Sequence, residues 1–266
     1  MDISVLPRSG KPAGNTATVW LKIIALVFMF IDHAGKMLFP AVPEMRMLGR
    51  IAFPVYVWCM IVGFHYTRSV PKYLLRVLIV GLISQPLYML ALNHTWSQPN
   101  VFLTLFLGLC ALWGIRERKC FSQLWAPAAA LILAIVLNAD YGWKGVLFIL
   151  FLYACRSSRP AIAAMMISFF LFWGTTYRLT SSLFGIPIDL DALPNQLNRE
   201  GLSVLGSLVK ALLTPVSSFL RMETYALLSL PLILIRFRKR LRLPVWVSYG
   251  LYPAHLLLIM LLKSVF

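Results

Sequence analysis

Several ionisable side chains of this sequence lie inside long apolar runs, where an uncompensated charge is costly unless it is paired or in contact with water. Lys22, Asp32, His33 and Lys36 all belong to one such run. His33 is the strongest chemical candidate, because a neutral imidazole can act as a general base or carry an acyl group. Asp32 and Lys36 are four residues apart and could form a structural pair on one helix face. Lys22 lies near the end of the run, where its ammonium could reach the membrane interface.

A second apolar run opens with Arg50, four residues before Pro54. Proline leaves the backbone carbonyl four residues earlier without its usual donor, so we expect a polar, opened helix end around Arg50. The guanidinium could pair with Asp32, hold an anionic ligand or reach the membrane interface. In the last apolar run, His255 also requires a partner or water. His33 and His255 could line one cavity as base and orienting partner, or each could have a structural role.

Two further candidates lie next to predicted loops. Asn100 precedes an apolar run and could cap a helix or contact a substrate. Tyr141 follows Asp140 in a short turn with aromatic residues, which is typical of a membrane interface and could equally bind a ligand. His65 and His94 lie at the ends of apolar runs, where we expect them to be solvated.

The composition excludes an ordinary soluble domain. Of the 266 residues, 60% are hydrophobic and 13% are charged, whereas soluble domains carry about 25% charged residues. The formal charge of +16 comes largely from short Lys and Arg clusters between apolar runs, which are typical of cytoplasmic loops and not of a nucleic-acid groove. The four cysteines lie in apolar runs or basic loops, so we expect free thiols without disulfides or a metal site.

Nine apolar stretches are candidate membrane spans, although the sixth is short. They are residues 19–39, 47–66, 73–92, 101–115, 124–139, 145–154, 161–177, 219–235 and 245–265. A bilayer core about 30 Å thick needs about 20 helical residues, and continuous apolar runs favour helices over the strands of a barrel. The sequence therefore predicts an all-α fold, a polytopic bundle of nine to ten transmembrane helices that forms a single domain over residues 1–266.

The distribution of basic residues predicts the orientation of these spans. Basic residues cluster after the second, fourth and sixth stretches and before the last, at Arg68, Lys72, Arg116, Arg118, Lys119, Arg156, Arg159, Arg236, Arg238, Lys239, Arg240 and Arg242. By the positive-inside rule these loops and the polar segment 1–18 are cytoplasmic, and the loop 94–100 is outside. Parity then makes 201–215 an amphipathic or re-entrant outer element within an extended insert, 178–222. A true tenth span is the alternative.

Short motifs along nearly the whole chain resemble the TraX family of integral membrane proteins, named for conjugal pilin acetylation. They are Leu21-Lys22-Ile23-Ile24-Ala25, Ile31-Asp32-His33, Gly49-Arg50-Ile51-Ala52-Phe53-Pro54, Tyr73-Leu74-Leu75-Arg76, Asn100-Val101-Phe102, Tyr141-Gly142 with Gly145, and Tyr252-Pro253-Ala254-His255. The family is similar to a larger group of transmembrane acyltransferases, whose first span carries a basic residue, ten intervening residues and a histidine. Lys22 and His33 have that spacing.

The resemblance implies transfer of an acetyl or other acyl group from cytosolic acetyl-CoA to a hydroxyl or amine outside the bacterial inner (plasma) membrane. The residues expected to act in catalysis are His33, Asp32 and His255, and those expected to bind substrate are Arg50, Lys22, Asn100 and Tyr141. The expected partners are the bilayer, acyl-CoA and a cell-surface glycan or protein, with no metal and no nucleic acid.

Two other classes of function use the same kinds of residue. A proton-coupled transporter or flippase also employs buried Asp, His and Arg side chains as relays and anion sites. A noncatalytic membrane assembly factor would use them to hold helices together. The region 178–222 is longer and more charged than the resemblance leads us to expect, so the acceptor does not follow from it.

Overall fold

The structure is a computed structural model that describes residues 10–174, 182–183, 186–187, 192–219, 221–237 and 244–265. Its helices are α1 (Thr18–Met37), α2 (Pro43–Gly49), α3 (Ala52–Tyr66), α4 (Val70–Leu92), α5 (Val101–Glu117), α6 (Ser122–Val136), α7 (Gly142–Cys155), α8 (Arg159–Gly174), α9 (Ala192–Arg199), α10 (Ser203–Phe219), α11 (Leu230–Leu234) and α12 (Val245–Val265). Short 3-10 segments, Lys119–Phe121 and Met222–Ser229, precede α6 and α11. The strands β1 (Ser182–Leu183) and β2 (Ile186–Pro187) form a small antiparallel hairpin.

The predicted all-α bundle is confirmed, and each of the nine predicted stretches overlaps a helical segment. Among the described residues, four helical segments are long and apolar enough to cross a membrane: Thr18–Met37, Pro43–Tyr66 (α2 and α3 together), Val70–Leu92 and Lys119–Val136. The count of nine to ten spans stays a prediction. Four shorter apolar helices are Gly142–Cys155, Arg159–Leu171, Ser203–Leu213 and Met222–Leu234. Residues 1–9 of the N-terminal segment, parts of the insert 178–222 and the basic run 238–242 lie outside the described residues.

Helix α3 lies at the centre of the bundle and packs against α1, α5, α7 and α11. It is apolar on every side, and side chains such as Val55, Trp58 and Ile61 are fully buried. A helix without a polar face satisfies its backbone internally and can be surrounded by other helices, which explains its central place. The Trp58 indole N–H donates to the Asn15 carbonyl at 2.7 Å, so the segment before α1 is attached to the core.

The two ends of the bundle differ in charge. At one end, which we call the basic end, the chain before α1 meets the ends of α7 and α11 and the start of α8. There the Ala13 amide donates to the Arg156 carbonyl at 2.8 Å, and Arg159 and Arg236 both donate to the Ala13 carbonyl at 3.1 Å. The Arg116 guanidinium contacts the Phe64 carbonyl nearby. The basic clusters that the sequence predicts to be cytoplasmic therefore gather at one end wherever they are described.

The opposite end, which we call the cavity end, contains a sharp break between α2 and α3. Gly49 lies against α1 there, and a Cβ atom at this position would clash with the Cβ of Asp32. The amides of Arg50 and Ile51 donate three residues back, at 3.1 and 3.2 Å, instead of four. The tight turn directs the Arg50 side chain towards α1, and Pro54 lies in the first turn of α3, where a missing N–H is tolerated. The predicted opened helix end is thus present at Arg50.

Candidate active site

A cavity of about 200 Å³ opens at the cavity end of the bundle. It is lined by residues from α1 to α5, from the turn between α6 and α7, from the 3-10 segment before α11 and from α12. Its ionisable lining consists of Asp32, His33, Lys36, Arg46, Arg50, His94, Asp140 and Glu223, together with tyrosines. A concave site with converging polar groups inside an apolar bundle is the expected form of an active or binding site.

The two intramembrane histidines meet at the wall of this cavity. Nδ1 of His33 lies 3.1 Å from Nε2 of His255, and the rings are nearly parallel with centroids 5.2 Å apart. Both side chains are buried. The rings of Tyr88 and Tyr252 stand edge-on to His33 and His255 respectively. His33 lines the cavity while His255 lies behind it, so the predicted pairing of base and orienting partner is geometrically present and leaves Nε2 of His33 for a ligand.

Asp32 belongs to a compact set of four charges. Nη2 of Arg50 donates to Oδ1 of Asp32 at 2.7 Å, and Nε of Arg46 donates to the same oxygen at 3.0 Å. Nη1 of Arg50 reaches Oε1 of Glu223 at 3.1 Å. The side chains of Asp32, Arg50 and Glu223 are only 11% to 14% exposed. The predicted Asp32–Arg50 pair is therefore formed, whereas the alternative Asp32–Lys36 pair is not, because two arginines occupy the carboxylate.

Lys36 instead pairs with a histidine from the loop after α4. Its Nζ lies 2.6 Å from Nε2 of His94, and Nδ1 of His94 lies 2.8 Å from Oε1 of Gln98. The Tyr88 ring stacks on His94 with centroids 5.0 Å apart. His94 is partly exposed, as expected at a helix end, and its ring also lines the cavity.

Tyr141 and Asp140 enter the cavity from the turn between α6 and α7. The Tyr141 ring stacks face to face on Phe53 at 3.7 Å, which fixes the turn against α3. Asp140 remains exposed at the mouth of the cavity. Even there, surrounding protein removes enough water from its carboxyl, with Asp32 and Glu223 adding negative charge, to raise its pKa to about 6.

Lys22 and Asn100 lie away from this cavity. Lys22 lines a second, mainly apolar chamber of about 70 Å³, which shares Tyr56 and Tyr252 with the first. Its ammonium lies 5.9 Å from the ring centroid of Tyr249. Asn100 lines neither chamber. Its Oδ1 accepts the Phe102 amide at 3.0 Å at the start of α5, so the capping interpretation is confirmed and its substrate role stays a prediction.

Metal-binding geometry is not found in the part of the chain that the structure describes. No group of three or more His, Cys, Asp or Glu side chains could hold an ion there. The four cysteines, Cys59, Cys110, Cys120 and Cys155, are free thiols.

A family model described as TraX protein matches residues 17–263. The chain belongs to the TraX family. The chain is 35% identical over 97 residues to an uncharacterized protein of Rickettsia prowazekii (strain Madrid E), covering 36% of the chain and 37% of the relative. It is 32% identical over 155 residues to the probable fimbrial assembly protein FimC, serogroup H1, of Dichelobacter nodosus, covering 53% and 63% respectively. The chain thus spans less than two thirds of the length of either relative. No solved structure matches.

Sequence reasoning missed the part that three ionisable residues, Glu223, Arg46 and His94, play in this site. Glu223 is 173 residues from Arg50, and no local pattern marks it. Arg46 precedes the second apolar run and resembles an ordinary interfacial cation. The sequence offers one signal for His94, namely that a histidine lies in a loop without Lys or Arg.

Proposed function

We propose that this TraX family member is a membrane acyltransferase that moves an acetyl or other short acyl group from cytosolic acyl-CoA to a hydroxyl or amine at the outer side of a bacterial inner membrane. The observation that carries the proposal is the buried His33–His255 contact at 3.1 Å in the wall of a polar cavity. The similarity to a probable fimbrial assembly protein makes a pilus-associated acceptor one candidate, beside a cell-surface glycan.

The charge difference between the two ends supports one orientation. The basic end carries the loops that the positive-inside rule assigns to the cytosol, so in this proposal the N-terminus lies inside and the cavity end outside. Helices α9 and α10 then belong to the outer side, because the 3-10 segment carrying Glu223 begins there. The acceptor would therefore reach His33 from outside, through the mouth near Asp140.

In the reaction that we propose, His33 acts through Nε2 as general base. It takes the proton of the acceptor O–H or N–H as that atom bonds to the acyl carbon, the carbon–sulfur bond of the thioester breaks, and the thiolate leaves with the proton as a thiol. His255 keeps the His33 ring in this orientation through the contact of its own Nε2 with Nδ1 of His33. Asp32 does not contact His255; its role is to fix Arg46 and Arg50 beside the reacting groups.

In this proposal, the acyl-CoA donor reaches His33 through the second chamber. It lies between Lys22 and the pair Tyr56 and Tyr252, and these two tyrosines also line the first cavity. Lys22 stands on the first turns of α1, nearer the basic end, where it could attract an anionic donor. Arg50 is less suited to that role, since its guanidinium is bound by Asp32, Glu223 and the Arg46 carbonyl.

The decisive experiment is release of free thiol from acetyl-CoA by purified protein in detergent, with a panel of hydroxyl and amine acceptors. Acceptor-dependent thiol release by the wild-type protein, lost in a well-folded His33→Ala variant, is the expected result. Thiol release that His33→Ala leaves unchanged would overturn the assignment of the base. No release with any acceptor would favour a function other than acyl transfer.

A further inference from the structure

Lys36 differs from the two arginines of the cavity because it has no carboxylate partner in the part of the chain that the structure describes. Arg46 and Arg50 are bound by Asp32 and Glu223. Among the described residues, no carboxylate oxygen lies within 4.0 Å of the Lys36 ammonium. Its closest polar partner is instead a neutral acceptor, Nε2 of His94, at 2.6 Å. The positive charge of Lys36 is therefore available to whatever occupies the cavity.

The contacts of His94 determine how it holds this ammonium. Oε1 of Gln98 accepts the Thr95 amide at 3.2 Å and lies 2.8 Å from Nδ1 of His94. Because this oxygen can only accept, Nδ1 carries the hydrogen and Nε2 presents its lone pair to Lys36. Partial burial and the Lys36 charge also lower the pKa of His94, which keeps the ring neutral. Stacking on Tyr88 fixes its plane.

Lys36 and His33 are three residues apart on α1 and both line the cavity. At this spacing their Cβ atoms are about 5–6 Å apart on one helix face. An ammonium has three N–H donors, so the bond to His94 leaves two for a ligand. The other charged groups around Lys36 are Arg46, Arg50, Asp32 and Asp140. A fixed cation beside the base is the arrangement that stabilises an oxygen on which negative charge develops during reaction.

We propose that Lys36 is a further catalytic residue, whose ammonium binds the carbonyl oxygen of the acyl group and stabilises the oxyanion formed during transfer, and that His94 is its positioning residue. This inference rests on the proposed acyl transfer. Lys36 donates hydrogen bonds and gives up no proton, because the proton of the acceptor passes through His33 to the departing thiolate. The acyl carbon gains its bond to the acceptor as the carbon–sulfur bond breaks.

The first test compares kcat and KM of purified variants in the thiol-release assay. We expect Lys36→Met to lower kcat by about 100- to 1000-fold, the usual effect of removing one oxyanion donor, while KM for acetyl-CoA changes by less than about threefold. His94→Gln keeps an acceptor for the ammonium and should lose less than His94→Leu. Lys144→Met removes a cation from the first turn of α7 that does not line the cavity, and should match wild type.

A second variant separates charge from packing. In protein lacking the four native cysteines, Lys36→Cys should be inactive. Alkylation with bromoethylamine should restore an ammonium the same number of bonds from Cα, with sulfur in place of Cγ, together with most of kcat. Wild-type kcat in Lys36→Met would overturn the proposal. So would failure of the restored ammonium to recover kcat in protein whose thermal stability equals that of its parent. If the wild-type protein transfers no acyl group, the proposed function itself fails, which is a separate result.

Discussion

Replacing Arg50 by methionine tests whether the four-charge set holds the cavity end together. The change removes two charge-assisted hydrogen bonds, at 2.7 and 3.1 Å, from side chains that are 11% to 14% exposed. Stranding a buried carboxylate costs about 3–5 kcal/mol. Asp32 keeps its bond from Arg46 at 3.0 Å, so most of the loss falls on Glu223. At about 2–4 °C per kcal/mol, the midpoint of thermal unfolding in detergent should fall by roughly 6–20 °C.

The double variant Arg50→Met with Glu223→Gln identifies the cause. Removing the negative charge of Glu223 leaves no unpaired buried ion, so the double variant should be clearly more stable than Arg50→Met alone. Arg50→Met with Asp32→Asn should recover less, because Asp32 already has Arg46. The fraction of protein that stays monodisperse on size-exclusion chromatography after heating measures the effect. Arg199→Met, on the exposed surface of α9, is the matched control.

Two results would refute this reasoning. An unchanged unfolding midpoint in Arg50→Met would mean that the guanidinium does not stabilise the bundle. Equal stability of Arg50→Met with and without Glu223→Gln would mean that the carboxylate is not stranded. If stability stays level while KM for acetyl-CoA rises, Arg50 binds the donor, as the sequence also allowed.

Three other outcomes follow from the structure. His33→Ala and His255→Leu should both insert and fold. Acyl transfer should vanish in His33→Ala and fall strongly in His255→Leu, and wild-type turnover in either variant would show that the replaced histidine takes no part in the mechanism. An impermeant thiol reagent on intact cells should label a single cysteine at Ser97 but not at Ser69, and the reverse pattern would invert the orientation. Asp140 has a pKa of about 6 when folded against an ordinary 3.8, so folded protein binds more protons between these values and stability falls as pH rises. Asp140→Asn should therefore stabilise the protein more at pH 7.5 than at pH 4.5, which melting curves at both values would decide.

The helices could be predicted from sequence because a bilayer imposes long apolar segments with internally satisfied backbones. Hydropathy thus predicted α1, α4 and α12 to within three residues at each end. The break before α3 was also predictable, since Gly49-Arg50 and Pro54 each alter local backbone geometry. Hydropathy could not predict which side chains contact each other, because contacts between helices that are distant in sequence do not change the apolar pattern of either helix.

The site shows both sides of this limit. The sequence allowed Asp32 to pair with either Lys36 or Arg50. It pairs with Arg50 because Gly49 lets the start of the second apolar run pack closely against α1 at Asp32. His33 and His255 are 222 residues apart and were paired only by the argument that buried imidazoles need partners. Glu223 escaped the same argument because it lies at the very start of its apolar run, where a charged residue needs no explanation.

The distribution of counter-charges separates structural ions from reactive ones at the cavity end. Arg46 and Arg50 with Asp32 and Glu223 form a neutral, nearly closed set, and such a set offers a ligand no net charge. A proton-coupled transporter needs buried acids that exchange partners during its cycle, yet these two acids are held by two guanidiniums at 2.7 to 3.1 Å. The groups that the set leaves open are a buried imidazole pair and the Lys36 ammonium. A base beside a fixed cation is the arrangement that the proposed acyl transfer requires.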